Sequence, residues 1–89
     1  LLARWGGEEF ILLAHNCRLP HAQELAESLR EAVASAPILT PDDGLRVTVS
    51  CGVAECSDDD DAETLVGRAD RALYRAKEEG RNRVVIEIA

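Results

Sequence analysis

Methionine is missing from all 89 residues, and Trp, Tyr and Phe occur once each. A translated chain needs an initiating Met, and this one starts inside an apolar run. It is therefore expected to be a piece or a processed product of a longer protein. With so few rings, the core has to be aliphatic, built from Leu, Val, Ile and Ala. No apolar stretch reaches the roughly 20 residues of a membrane span, and no signal peptide is visible, so a cytoplasmic location is expected. The three cysteines, Cys17, Cys51 and Cys56, are odd in number and match no zinc spacing. They read as reduced thiols, two of them on strands. His15 and His21 lack the spacing of a ligand pair and read as a strand-end and a helix-surface residue. Basic residues are outnumbered, 10 against 17 acidic ones, and the net charge of −7 argues against non-specific binding to nucleic acid. Part of that charge is one local run, Asp58 to Asp61. The length suits one core, with no internal repeat and no linker.

What is present begins with GGEEF at residues 6–10. Paired glycines can adopt positive φ at both central positions of a tight hairpin turn. Such a turn carries no side chains, so a ligand can approach its backbone. Glu8 and Glu9 start the return strand beside it, where carboxylates are placed to hold a divalent metal against a phosphate. A two-residue turn at Gly6-Gly7 sets Trp5 opposite Glu8 and Arg4 opposite Glu9. The Arg–Glu cross-strand pair would stabilise the hairpin by about 0.2–1 kcal/mol.

Patterning assigns the rest. Residues 8–14 read as a strand apolar on both faces beyond the glutamates, hence central in a sheet, with residues 1–5 as its partner. Residues 20–35 read as a helix. Pro20 suits its first turn, the buried stripe is Ala22, Leu25, Ala26, Leu29 and Val33, and Glu24, Glu27, Arg30 and Glu31 face mostly solvent. Pro37 ends that helix, and residues 40–44 form a turn cluster. Residues 46–54 alternate as a strand, with Val47, Val49, Cys51 and Val53 on its covered face. Gly52 on the other face signals a bulge or a close backbone contact. Residues 61–79 read as a second helix, with Asp60 and Glu63 as a capping box and Gly80 as its C′ residue. Its apolar stripe is Ala62, Leu65, Val66, Ala69, Ala72, Leu73 and Ala76. Residues 83–88 close the order hairpin, helix, strand, helix, strand.

Three blocks, RWGGEEF, VTVSCGVA (47–54) and ADRALYRAKEEGRNRV (69–84), together resemble the GGDEF domain of diguanylate cyclases in order and spacing. The resemblance runs through residues 1–89 as the C-terminal part of a single such domain. It implies an α/β (α+β) fold, a central, mostly antiparallel sheet with packed helices, as in nucleotidyl cyclase and polymerase palm domains. It also implies an enzyme that joins two GTP molecules into cyclic di-GMP and releases pyrophosphate.

In that family each ribose 3′-OH attacks the α-phosphate of the other nucleotide, so two domains face each other about a two-fold axis. The resemblance makes Glu8 the metal ligand that helps deprotonate the hydroxyl, with Mg²⁺ or Mn²⁺ as cofactor. Glu9 becomes a second residue needed for activity, and Gly6 and Gly7 line the nucleotide site. Lys77 and Arg81 become contacts to the GTP phosphates; without the resemblance they would simply complement the helix dipole. Asn82 would support the turn into the last strand, Trp5 packs, and Arg68, Arg71, Arg75 and Arg83 remain solvated charges. The implied partners are GTP, a second copy of the domain, and an attached sensory or receiver domain. The family's first metal-binding aspartate, its guanine-reading residues and its inhibitory RxxD motif lie upstream of the matched blocks, so residues 1–89 alone are expected to be inactive. Ser28 stands where the family's product-inhibition site has an arginine. Two rival readings are a non-catalytic GGDEF domain that binds GTP or cyclic di-GMP and regulates a neighbour, and a small α/β interaction module.

Overall fold

The computed structural model describes residues 2–4, 10–12, 17–35 and 47–87. Six elements run in the expected order: β1 (Leu2–Arg4), β2 (Phe10–Leu12), α1 (Leu19–Ser35), β3 (Cys51–Ala54), α2 (Ala62–Glu78) and β4 (Val84–Glu87). No described helix is long and apolar enough to cross a membrane. The described strands form two pairs, β1 with β2 and β3 with β4. The first is antiparallel and the second parallel, so the antiparallel character expected of the sheet holds for one of the two pairs. The parallel pair follows from connectivity. Its strands are joined through α2, and a crossover helix returns the chain in the same direction.

The hairpin register differs from expectation. Arg4 pairs with Phe10, Ala3 with Ile11 and Leu2 with Leu12. Arg4 is therefore not opposite Glu9. Each pair sums to an even number, whereas a two-residue turn at Gly6-Gly7 requires an odd sum. The described pairs therefore do not have the register of a two-residue turn at Gly6-Gly7. The turn itself, with Gly6, Gly7, Glu8 and Glu9, lies outside the described residues.

α1 begins one residue earlier than its pattern suggested. Its first turn holds no acidic residue. The acceptor comes instead from Glu55, just past β3, whose Oε1 receives the Leu19 N–H at 2.8 Å. A carboxylate there satisfies an orphan donor and complements the helix dipole. The buried stripe is rotated from the expected one. Leu25 and Leu29 are 41% and 46% exposed, while Ala22, Ala26, Val33 and Arg30 are half-buried. α1 lies against β3 and β4. Arg30 is drawn in with Ala22, Ala26 and Val33.

α2 carries the only fully buried described residues, Ala72 and Ala76, both of its expected stripe; Ala62, at its first position, is exposed. Its N-cap is Asp61 rather than Asp60. The Asp61 side chain accepts the Thr64 N–H at 2.8 Å, and Thr64 Oγ1 accepts the Asp61 N–H at 3.0 Å, closing a capping box one residue later than expected. Gly80 stands at C′ with φ of 124°, as anticipated.

Gly52 explains how closely α2 sits. A Cβ there would lie 2.2 Å from Ala69 O and 2.3 Å from Leu73 N, so helix backbone rests directly on strand backbone. Neighbouring Cys51 points to the opposite face, by the alternation of a strand. Burial pushes its thiol above the usual range, and the Glu27 carboxylate of α1 adds to that while Arg30 opposes it. β3 is thus covered on both faces, by α2 over Gly52 and by α1 over Cys51. Cys51 is also the only cysteine of the three on a strand, not one of two; all three thiols are free.

Candidate functional site

Of the residues singled out for chemistry, Lys77 and Arg81 are described; Gly6, Gly7, Glu8 and Glu9 are not. Among the described residues no cluster of three or more His, Cys, Asp or Glu could hold a metal ion. What the structure does build is the basic end of α2.

The helix stops at Glu79, whose N–H donates to Arg75 O at 2.9 Å. The chain then takes three left-handed residues in succession: Gly80, Arg81 with φ of 66° and Asn82 with φ of 48°. The Arg81 N–H turns back to Ala76 O at 2.9 Å, the six-to-one bond of a Schellman ending. Gly80 takes this conformation freely. Asn tolerates it, but Arg at positive φ crowds its Cβ against a carbonyl at about 1–2 kcal/mol. The surroundings hold it there. Asn82 donates its N–H to Ser50 Oγ at 3.1 Å, Arg83 Nε donates to Arg81 O at 3.1 Å, and Arg30 Nη1 donates to Asn82 Oδ1 at 2.8 Å. Asn82 does support the turn into the last strand, with partners from two other parts of the chain.

The bend folds Arg81 back beside the last turn of α2, where Lys77 is half-buried and lines a hollow of about 140 Å³ with Asp70, Leu73 and Tyr74. Arg81 itself is exposed, and among the described residues no carboxylate pairs with its guanidinium. Its neighbours differ. Arg71 and Arg75 both reach Glu87, at 3.6 and 2.6 Å, and Arg83 reaches Glu79 at 3.7 Å. These remain surface pairs of small energetic weight.

Arg68 departs further from a solvated charge. Its side chain is only 11% exposed and is paired with Asp60, whose side chain is 7% exposed. Arg68 Nη2 also donates to Glu55 O at 2.8 Å, while Nη1 is buried without a partner. Asp60 sits in a surface turn yet accepts from the Ser57 N–H at 2.9 Å, Ser57 Oγ at 3.1 Å and Thr64 Oγ1 at 2.9 Å. The Ser57 backbone bond, then the guanidinium and the hydroxyls, hold its carboxyl well below the usual carboxylate range. The acidic run thus does structural work: Asp60 clamps α2 to the loop and Asp61 caps it.

Arg30, Ser50 and Glu55 escaped the sequence reading as partners, and Asp60, read there as a cap of α2, pairs with Arg68 instead. Each bond joins residues whose spacing carries no local periodicity, so no pattern in a single chain signals it.

The family model described as "Diguanylate cyclase, GGDEF domain" matches residues 1–83. Diguanylate cyclase DgcM of Escherichia coli K12 is 49% identical over 86 residues, which cover 96% of this chain and 20% of that protein. The GGDEF domain of DgcB from Caulobacter crescentus, solved in complex with c-di-GMP, superposes with a TM-score of 0.89 at 34% identity, covering 96% of this chain and 52% of that one. The active GGEEF domain of a diguanylate cyclase from Vibrio cholerae gives 0.88 at 35% identity, covering 99% and 56%. The chain therefore spans about a fifth of the curated relative and about half of each solved chain. On the family match across nearly its whole length, joined to this common fold, the chain belongs to the GGDEF domain family of diguanylate cyclases.

Proposed function

We propose that the protein containing this chain is a diguanylate cyclase, condensing two GTP molecules into cyclic di-GMP with release of pyrophosphate. The observation that carries this reading is Arg81: an exposed guanidinium without an acidic partner among the described residues, presented on a left-handed bend beside Lys77. A planar cation with no acidic partner among the described residues suits a phosphate. The names of the relatives, and the GGEEF pentapeptide shared with the solved Vibrio cholerae domain, support the same reading.

In this reading Gly6 and Gly7 let the nucleotide approach the hairpin backbone, and Lys77 and Arg81 take the triphosphate. Glu8 accepts the proton of the ribose 3′-OH, with Glu9 beside it. Glu8 would also hold Mg²⁺ or Mn²⁺, hard cations suited to carboxylate oxygen, which supply charge neutralisation on the triphosphate and acidify the hydroxyl. Each domain carries one nucleotide, so the reaction takes place across a two-fold dimer. An attached sensory or receiver domain governs how often the two halves meet, and the reaction belongs to the cytoplasm, where GTP is available.

Glu8→Gln in the complete protein tests it. Loss of the base is expected to lower cyclic di-GMP synthesis at least 100-fold, within the range typical of general-base removal, with an unchanged circular dichroism spectrum. Near-normal turnover by a folded variant would refute the assignment.

A further inference from the structure

We propose that Arg30 of α1 is a positioning residue for Arg81: through Asn82 it holds the left-handed bend that aims the guanidinium at phosphate. The inference rests on the reading of Arg81 as a phosphate contact and adds a residue from a different element to it.

The bend is the least favourable piece of backbone among the described residues, with consecutive positive φ at Gly80, Arg81 and Asn82. Such a segment persists only where its surroundings over-determine it. Two of its anchors are local. Arg81 N–H to Ala76 O completes the helix ending, and Arg83 Nε to Arg81 O closes the loop onto itself. The other two come from far along the chain, Ser50 Oγ onto the Asn82 N–H and Arg30 Nη1 onto Asn82 Oδ1, at sequence separations of 32 and 52. Among the described residues, these two tie Asn82 to parts of the fold beyond α2. Ser50 fixes the Asn82 backbone, and Arg30 fixes its side chain.

Arg30 is itself built in. Its side chain is 18% exposed, Nε donates to Glu27 Oε1 at 2.6 Å, and Nη2 lies 3.9 Å from Glu31 Oε1. Two carboxylates already neutralise it, so its charge is not the one offered to a phosphate. Its remaining directed bond goes to Asn82. The helix ending is complete without Arg30, because the Glu79 and Arg81 N–H groups find Arg75 O and Ala76 O. Removing Arg30 therefore frees the Asn82 side chain and widens the range of Arg81 directions, leaving α2 terminated as before.

The test is cyclic di-GMP formation by the complete protein against GTP concentration, for Arg30→Ala, Arg81→Ala and the double variant, each with its melting temperature. Arg30→Ala is expected to raise the half-saturating GTP concentration about fivefold to tenfold with kcat within twofold. Arg81→Ala raises it at least as much, and adding Arg30→Ala to Arg81→Ala raises it no further. This last result separates positioning from a general structural role, which would add in both backgrounds. If Arg81→Ala leaves GTP saturation unchanged, the phosphate reading fails and the inference falls with it. If Arg81→Ala weakens saturation while Arg30→Ala does not, or if the two effects add, the phosphate reading stands and the inference alone is overturned. Should Arg30→Ala fail to fold, Asn82→Gly breaks the same link from its other end, since Gly keeps the positive φ and lacks the acceptor. It is then expected to weaken saturation as Arg30→Ala would, and to have no further effect beside Arg81→Ala; any other pattern overturns the proposal.

Discussion

Two glycines, Gly52 in β3 and Gly67 in α2, should respond to the same substitution with opposite signs. At Gly52 an added methyl would lie 2.2 Å from Ala69 O, 2.3 Å from Leu73 N and 2.8 Å from Leu73 Cα. All three are backbone atoms of one helix, so no side chain can swing aside, and α2 has to lift from the strand. Lifting it also loosens Ala72 and Ala76, the buried residues of that interface. Overpacking typically costs about 1–3 kcal/mol, and a clash with backbone alone belongs at the upper end. At Gly67 nothing lies within 4 Å of the added Cβ, and the residue is inside a helix. There Ala removes backbone freedom from the unfolded chain and should stabilise by about 0.5–1 kcal/mol. For a domain of 150–250 residues each kcal/mol shifts the melting temperature by about 2–4 °C. Gly52→Ala should thus melt roughly 6–12 °C lower, and Gly67→Ala about 1–4 °C higher. Thermal unfolding of both variants in the complete domain, followed by circular dichroism, reads the difference. A Gly52→Ala protein melting within 2 °C of the parent would mean that backbone contact does not set the spacing of strand and helix.

Lys77→Ala should lower GTP affinity about tenfold; calorimetric titration showing unchanged affinity would return Lys77 to a structural role at the helix end. Asp60 titrates far lower in the fold than in an unfolded chain, so its contribution is fully present above about pH 3.9 and fades as pH falls toward its folded value. Asp60→Asn should accordingly melt below the parent at pH 7, and the gap should narrow below about pH 4; a gap constant down to pH 2 would contradict the network drawn around it. Glu55→Ala should cost about 1 kcal/mol through the lost acceptor of the Leu19 N–H, whereas Glu55→Gln, which keeps an oxygen there, should cost clearly less. Equal losses in the two variants, measured by urea unfolding, would assign the effect to charge instead.

Much of this architecture could be read from residue order because helices and their ends are local. The stripe Leu65, Val66, Ala69, Ala72, Leu73 and Ala76, the acidic start of α2 and Gly80 all act within a few positions of one another. The close approach at Gly52 was legible as a glycine inside a strand pattern, although its partner was not. The misreadings share a cause. The hairpin register, with Arg4 opposite Phe10, is a matter of pairing between two strands, and composition does not set it. The capping box slipped by one because Asp60 and Asp61 are equal candidates until Arg68 claims the first. The α1 stripe rotated because packing against β3 and β4, which no local periodicity encodes, turns Ala22, Ala26, Val33 and the Arg30 stem inward rather than Leu25 and Leu29. At the candidate site the basic end of α2 was readable from Lys77, Arg81 and Gly80, whereas the fastening of that bend by Ser50 and Arg30 depends on contacts between distant segments.

α1 is pinned at two places, by Glu55 at Leu19 and by Asn82 at Arg30. The two lie eleven positions apart on the helix, about 16 Å along the axis. A rod pinned near both ends can neither slide nor swivel on its support. A force that reaches α1 from elsewhere in a larger assembly is then passed on in part at these pins, and one of them is the bend that carries Arg81.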